Sequence, residues 1–296
     1  MFFLIISLNA QPIPSDFFKY KLQKLLYDNG ENWSSYTLFS GIRYQKYNKL
    51  KLRNADSTIL NTKIGVHVKN QSFGTYAYGY VNFQKNFYSY FYSRIANDTS
   101  LFQGYSGLPA IRYKNSYLSS ETDLAGIGFQ NSWVILQIGR GRENWGAGEN
   151  IQLALSESSC PYDYISLASD YGNLRVNYIH GFLETTKDTI NRYITARGIE
   201  WTNKRDFLLG LSEVIIYSGL RRSIDIGYFN PIGTHLEIEL NERLNNLGAN
   251  NANAVWMLSA DYYIKKYNMR ISYNLLFDEF VIDEVEKNNN KEHGKA

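Results

Sequence analysis

From residue 62 onward the chain is written in short runs, each roughly 8 to 12 residues long, in which apolar and polar side chains alternate. A period of two places every second side chain on the same face of an extended strand, so each run reads as a strand with one oily face and one polar face. Residues 62–69 set Ile64, Val66 and Val68 against Lys63, Gly65 and His67, and residues 75–84 set Tyr76, Tyr78 and Tyr80 against Ala77, Gly79 and Val81. Residues 87–95 repeat the tyrosine parity with Tyr88, Tyr90 and Tyr92. Near the other end, residues 255–264 oppose Trp256, Leu258, Ala260 and Tyr262 to Ser259 and Asp261, and residues 269–277 oppose Ile271, Tyr273, Leu275 and Phe277 to Arg270, Ser272 and Asn274. Further runs fall at 35–44, 123–130, 132–138, 174–182, 193–202 and 207–217, with clusters of Asn, Asp, Gly, Ser and Lys between them. The pattern is that of an all-β antiparallel fold of about a dozen strands.

No stretch of about 18 apolar residues is present, which excludes a membrane-spanning helix. A mean hydropathy of −0.37 leaves a membrane β-barrel open, because alternating side chains average out in any window. A soluble sandwich alternates too. The unequal connections favour the barrel: short turns at 85–86 and 131 contrast with long polar loops at 97–114 and 139–150. The chain also holds 25 Tyr, an amphipathic ring suited to strands and to membrane interfaces. An antiparallel outer-membrane β-barrel over residues 32–286 is therefore expected, incomplete at its C-terminus because the polar tail 287–296 supplies no closing strand. At the other end, residues 1–10 form an apolar run ending in Ala10 that reads as a partial export signal. Within 11–31 a short helix is expected, capped at Ser15 or Asp16, with Phe18, Leu22, Leu25 and Leu26 on one face and Asn29-Gly30 at its end.

Several function classes are weak on these residues. A formal charge of +3 with both signs scattered carries no nucleic-acid footprint. The single Cys160 forms no internal disulfide, and the four histidines stand far apart, so no metal site and no cofactor are expected. Gly139-Arg140-Gly141 lacks the third glycine and the following helix of a dinucleotide site, and the segment around Ser156 lacks the glycines of a nucleophile elbow. Glu143, Glu149 and Glu157 would supply a glycosidase carboxylate pair only if the fold set two of them at the required separation.

The stretch 139–159 is different in kind. Its first eleven residues hold four glycines, two arginines, two glutamates and a tryptophan. Trp145 offers a ring to the C–H face of a sugar, and Arg140, Arg142 and Asn144 offer donors to hydroxyls or carboxylates. The competing reading is that these charges, Glu143 included, pair with one another and plug a lumen.

The same stretch, GRGRENWGAGENIQLALS over 139–156, resembles the signature of the Wzi-type capsule-assembly proteins, in which a strand ending in Gly-Arg leads to a Trp-Gly-Pro-Gly turn and a Leu-x-Leu-Ser segment. RYITARGIEW (192–201), IGYFNP (226–231) and LFDEFVIDE (276–284) fit the family in order, and the helix at 16–30 resembles its amino-terminal helical segment. Ala147 replaces the proline, and Thr195-Ala196-Arg197 stands where the family tends to have His-Arg. The resemblance implies a non-enzymatic, lectin-like protein of the bacterial outer membrane, with capsular or extracellular polysaccharide and outer-membrane lipid as partners. Arg140, Arg142, Glu143, Asn144 and Trp145 are then the candidate polysaccharide-binding residues. A diffusion porin for anionic or sugar solutes and an outer-membrane enzyme acting on glycans or lipids are the alternatives.

Overall fold

The structure is a computed structural model that describes residues 38, 59–69, 72–83, 86–98, 113–114, 118–130, 133–148, 153–156, 159–240 and 252–278. The expected export signal, N-terminal helix and polar tail lie outside these residues, as do the run 35–44 apart from Leu38, and residues 279–284. All-β character is found as expected. Twelve strands form one antiparallel sheet: β1 (Ile59–Lys69), β2 (Ser72–Phe83), β3 (Phe87–Ala96), β4 (Tyr113–Lys114), β5 (Leu118–Gln130), β6 (Val134–Gly141), β7 (Tyr162–Tyr171), β8 (Leu174–Thr185), β9 (Ile190–Thr202), β10 (Phe207–Leu220), β11 (Ala252–Ile264) and β12 (Met269–Phe277). Neighbours in sequence pair in space throughout, except that β3 pairs β5 while the two-residue β4 lies beside β5. Among the described residues the sheet is not closed, since β1 pairs only β2 and β12 pairs only β11.

Two features lie outside the sequence reading. β7 joins the sheet between β6 and β8, and two short helices, α1 (Ile226–Phe229) and α2 (His235–Leu240), interrupt the connection from β10 to β11. Both helix starts follow ordinary capping chemistry: Asp225 accepts a hydrogen bond from the Gly227 N–H at 2.9 Å, and the Thr234 hydroxyl accepts from the Glu237 N–H at 3.2 Å.

The registers divide the side chains into two faces. One carries Tyr88, Tyr90 and Tyr92 of β3, Gln137 of β6, Tyr162 and Tyr164 of β7, Glu200 of β9, and Ser259 and Asp261 of β11. This face is concave, because the loop after β6 reaches β12 across it: Ala147 bonds to Asn274. On a flat sheet the six strand spacings from β6 to β12 would cover about 28 Å. Moreover, the row through Asn274, Ser259, Gly210, Glu200 and Arg175 meets β7 at Asp170, eight positions along from Tyr162, the partner of Gly141. Six residues from Gly141 to Ala147 span at most about 22 Å, so the sheet has to curl around the loop.

The convex face is largely apolar, and much of it is open. Val66, Phe91, Ile127, Ile138, Ile165, Ile199, Leu211 and Ile271 are all exposed there. The two ends of the sheet also differ. Connections at one end are short (84–86, 131–133, 172–173, 203–206, 265–268), whereas 97–117, 142–161 and 221–251 are long and all lie at the other. Exposed aromatic residues gather at the short-turn end, where Phe87, Trp133, Tyr171, Trp201, Tyr262 and Tyr267 stand within two residues of strand ends.

Close approach between β5 and β6 is fixed by Gly139, where an added Cβ would lie 2.5 Å from the Ala125 carbonyl oxygen. That neighbour is backbone and has nowhere to go. Gly139→Ala is expected to lower stability by about 1–3 kcal/mol, read as a lower denaturant midpoint with an unchanged slope.

Candidate functional site

The loop 142–148 lies inside the concave face and is tied down at each step. The Trp145 N–H donates to the Leu155 carbonyl (3.2 Å), and the Gly146 N–H donates to the Leu38 carbonyl (2.8 Å). Gly146 takes φ +131, a conformation that disfavours any side chain. Ala147 is held at both its polar groups by one amide: its N–H donates to Asn274 Oδ1 (2.8 Å), and Asn274 Nδ2 donates to its carbonyl (2.6 Å). Ser259 donates to the same Asn274 oxygen at 2.8 Å.

Leu38 is fully buried beneath the loop, and its N–H donates to the carboxylate of Glu200. Glu200 is itself fully buried and is neutralised by Arg175 at 2.8 Å, which also reaches Asp170 at 3.1 Å. A second concave ion pair, Arg270 with Asp261, lies nearby on the β11–β12 hairpin. These pairs satisfy the rule that a buried charge needs a partner.

Beyond the loop, the concave face of β3 to β7 is lined by tyrosine. Tyr88 donates to Gln137 at 2.7 Å, Gln137 donates to the Tyr164 hydroxyl at 3.0 Å, and the rings of Tyr88 and Tyr90 stack at 6.3 Å. Rings fit here because β5 presents Gly126 and Gly128 opposite them, so a Cβ at Gly128 would lie 2.3 Å from the Tyr88 ring. Glu143 sits beside Tyr162 and Tyr164 and accepts from the Trp145 indole at 3.3 Å.

The five residues read from sequence therefore divide. Trp145 is fully buried among Leu38, Ala147, Leu155 and Met257, and Asn144 is also buried. Arg142 and Glu143 are partly exposed within the inward loop. Arg140 belongs to the opposite, convex face, where it pairs with Asp163 at 3.1 Å. Of the three glutamates considered as a carboxylate pair, Glu149 and Glu157 lie outside the described residues. Sequence reasoning missed Leu38, Asn274 and Glu200. The shared parity of Tyr88, Tyr90 and Tyr92 signalled the lining, but only the Gly126 and Gly128 registers give it a floor.

A second polar cluster occupies the convex face under α1 and α2. Arg197 pairs with Glu213 at 2.8 Å and donates to the Tyr228 carbonyl at 3.1 Å, while Glu213 also accepts from the His235 N–H at 3.0 Å. Tyr228 stacks on Tyr217 at 4.6 Å, and its hydroxyl faces His235 Nδ1 at 3.1 Å.

Fold and site together define an all-β protein with an antiparallel sheet curled around its own loop. Set against known proteins, the chain matches no family model and no curated protein.

Asn274→Ala removes both bonds to Ala147, and leaving two buried backbone groups short of partners is expected to cost about 1–3 kcal/mol. Hydrogen exchange should then accelerate at residues 145–148 while the β8–β10 core stays protected. Burial lowers the His235 pKa from its usual value, with Glu213 opposing and Arg197 adding to the shift. The folded state thus favours neutral His235, and its contribution is fully present above the unfolded value of about 6.5. It is lost as pH falls below that value, so the protection of residues 226–240, taken relative to each amide's intrinsic exchange rate, should be smaller at pH 5 than at pH 7.

Proposed function

We propose that this chain forms the wall of a bacterial outer-membrane β-barrel that binds or organises capsular or other exopolysaccharide at the cell surface, without catalysing a reaction. Three features support the membrane part. The convex face is largely apolar and much of it is open, exposed aromatic residues ring one end, and every connection at that end is short, which together match the outward band, aromatic girdle and turn asymmetry of such barrels. Principal strands of 8 to 14 residues fit a bilayer that needs about 9–11 tilted residues.

The polysaccharide part rests on one observation: the loop that resembles the capsule-assembly signature is folded inward and bonded at Leu38 and Asn274. It occupies the concave side, where a diffusion channel would need open space, and it leaves Arg142 and Glu143 partly exposed, Glu143 beside Tyr162 and Tyr164. Arginine and tyrosine suit a hydroxylated or acidic glycan. Outer-membrane lipid would cover the convex band.

Trp145→Ala is a poor test, because emptying a fully buried indole site costs about 3–5 kcal/mol. Arg142 is partly exposed, so Arg142→Ala empties less buried volume than Trp145→Ala. Cells carrying Arg142→Ala are expected to retain less surface polysaccharide at an unchanged amount of outer-membrane protein; unchanged polysaccharide would overturn the binding role. Liposomes containing the protein should swell in small sugars no faster than empty ones, and rapid swelling would favour a porin.

A further inference from the structure

The convex face contains an apparent contradiction, and its resolution identifies what covers the β10–β11 connection. Arg197 and Glu213 are buried there, whereas Ile199 and Leu211, the next residues on the same face of β9 and β10, are exposed and apolar. A charged pair in an oily wall needs a cover. The connection supplies one by folding back over the wall, where Tyr228 and Ile238 are buried against Tyr193, Ile215, Tyr217 and Ala254.

The outer surface of that cover carries an apolar patch among exposed polar residues, Arg221, Ser223, Asn230, Thr234 and Glu237. Ile226 and Ile232 are 84% and 86% exposed, Leu220 and Ile224 are exposed as well, and Phe229 is partly covered by Tyr178 and His180. The register fixes the level of this patch on the sheet. His180, Thr195 and Ile215, which lie beneath the cover, share one row with Ile138 of β6 and Ile165 of β7. The cover does not reach Ile138 and Ile165, which are exposed. The cover therefore borders the exposed apolar residues: it shares a row with Ile138 and Ile165, and on β9 and β10 it stops next to Ile199 and Leu211.

We propose that residues 220–232 form an outboard, lipid-facing cover: their inner side seals the Arg197–Glu213 pair, and their outer side contacts lipid acyl chains. This rests on the membrane reading above. The occupant is lipid because the patch is continuous with the exposed band in the same row, and because the polar partners of the cluster, Arg197, Glu213 and the Tyr228 carbonyl, are turned inward onto one another. Arg221, within this stretch, and Glu237 beyond it are exposed and have side chains long enough to reach toward a headgroup layer.

Nitroxide labels at Ile226→Cys and Ile232→Cys, each in a Cys160→Ser background, test this in phosphatidylcholine vesicles at high dilution of protein. Leu211→Cys serves as the band control and Lys266→Cys as the turn control. Labels at 226 and 232 are expected to lose collisions with a water-soluble nickel chelate down to the level at 211, while keeping collisions with oxygen. Nickel access at 226 and 232 with none at 211 would place the cover in water and overturn the inference while leaving the membrane reading intact. Nickel access at 211 as well would overturn both. Shielding of 226 and 232 from both reagents would show a contact between protein molecules and would also overturn the lipid assignment.

Discussion

The Glu200 carboxylate joins the parts of this molecule that sequence keeps far apart. It is fully buried in β9, balanced by Arg175 of β8, and accepts the backbone N–H of Leu38. The Leu38 carbonyl in turn accepts from the Gly146 N–H, so the strand wall, Leu38 and the inward loop form one hydrogen-bonded series. Removing one partner of such a buried pair costs about 3–5 kcal/mol, because the other charge is left uncompensated. The curl of the sheet follows from the same series, since the loop crosses to Asn274 only if β6 and β12 approach around the concave side.

Charge is buried on both faces of the sheet, and the two faces seal it differently. Inside the curl, Glu200 and Asp261 meet arginines on adjacent strands and are covered by the loop or lie close to it. Outside, Arg197 and Glu213 meet across β9 and β10 and are covered by helices from a distant connection. A one-position change of parity separates Arg197 from the inward-facing Ala196, and the different covers are consequences of that parity.

Legibility in the sequence followed the local signal. Strands β8 to β12 are legible in the sequence to within a few residues, because runs rich in Leu, Val, Ile and aromatic residues, alternating in part with polar ones, are bounded there by polar turn clusters. β7 was not read: its two faces, Tyr162-Tyr164-Ser166-Ala168 and Asp163-Ile165-Leu167-Ser169, mix polarity, so no oily side stands out. The short helices carry real cap residues in Asp225 and Thr234, but a helix of four to six residues has no room to develop a helical period. In the loop, Trp145 looked like a sugar platform because an aromatic ring among glycines and arginines has the right chemistry. Its burial depends on Leu38 and Met257, more than a hundred residues away in either direction.

What the sequence by itself determined is therefore the strand periodicity, the two-faced character of the sheet, the unequal connections and the unusual make-up of residues 139–156. Each is a property of neighbouring residues and needs no distant partner. Tertiary contact decided which face became concave, that the loop turned inward to Asn274, that Arg140 and Arg142 were parted, and that the β10–β11 connection folded over the Arg197–Glu213 pair. These outcomes come from burying charges and backbone groups that must find partners, and the partners are supplied by strands that only the assembled sheet brings within reach.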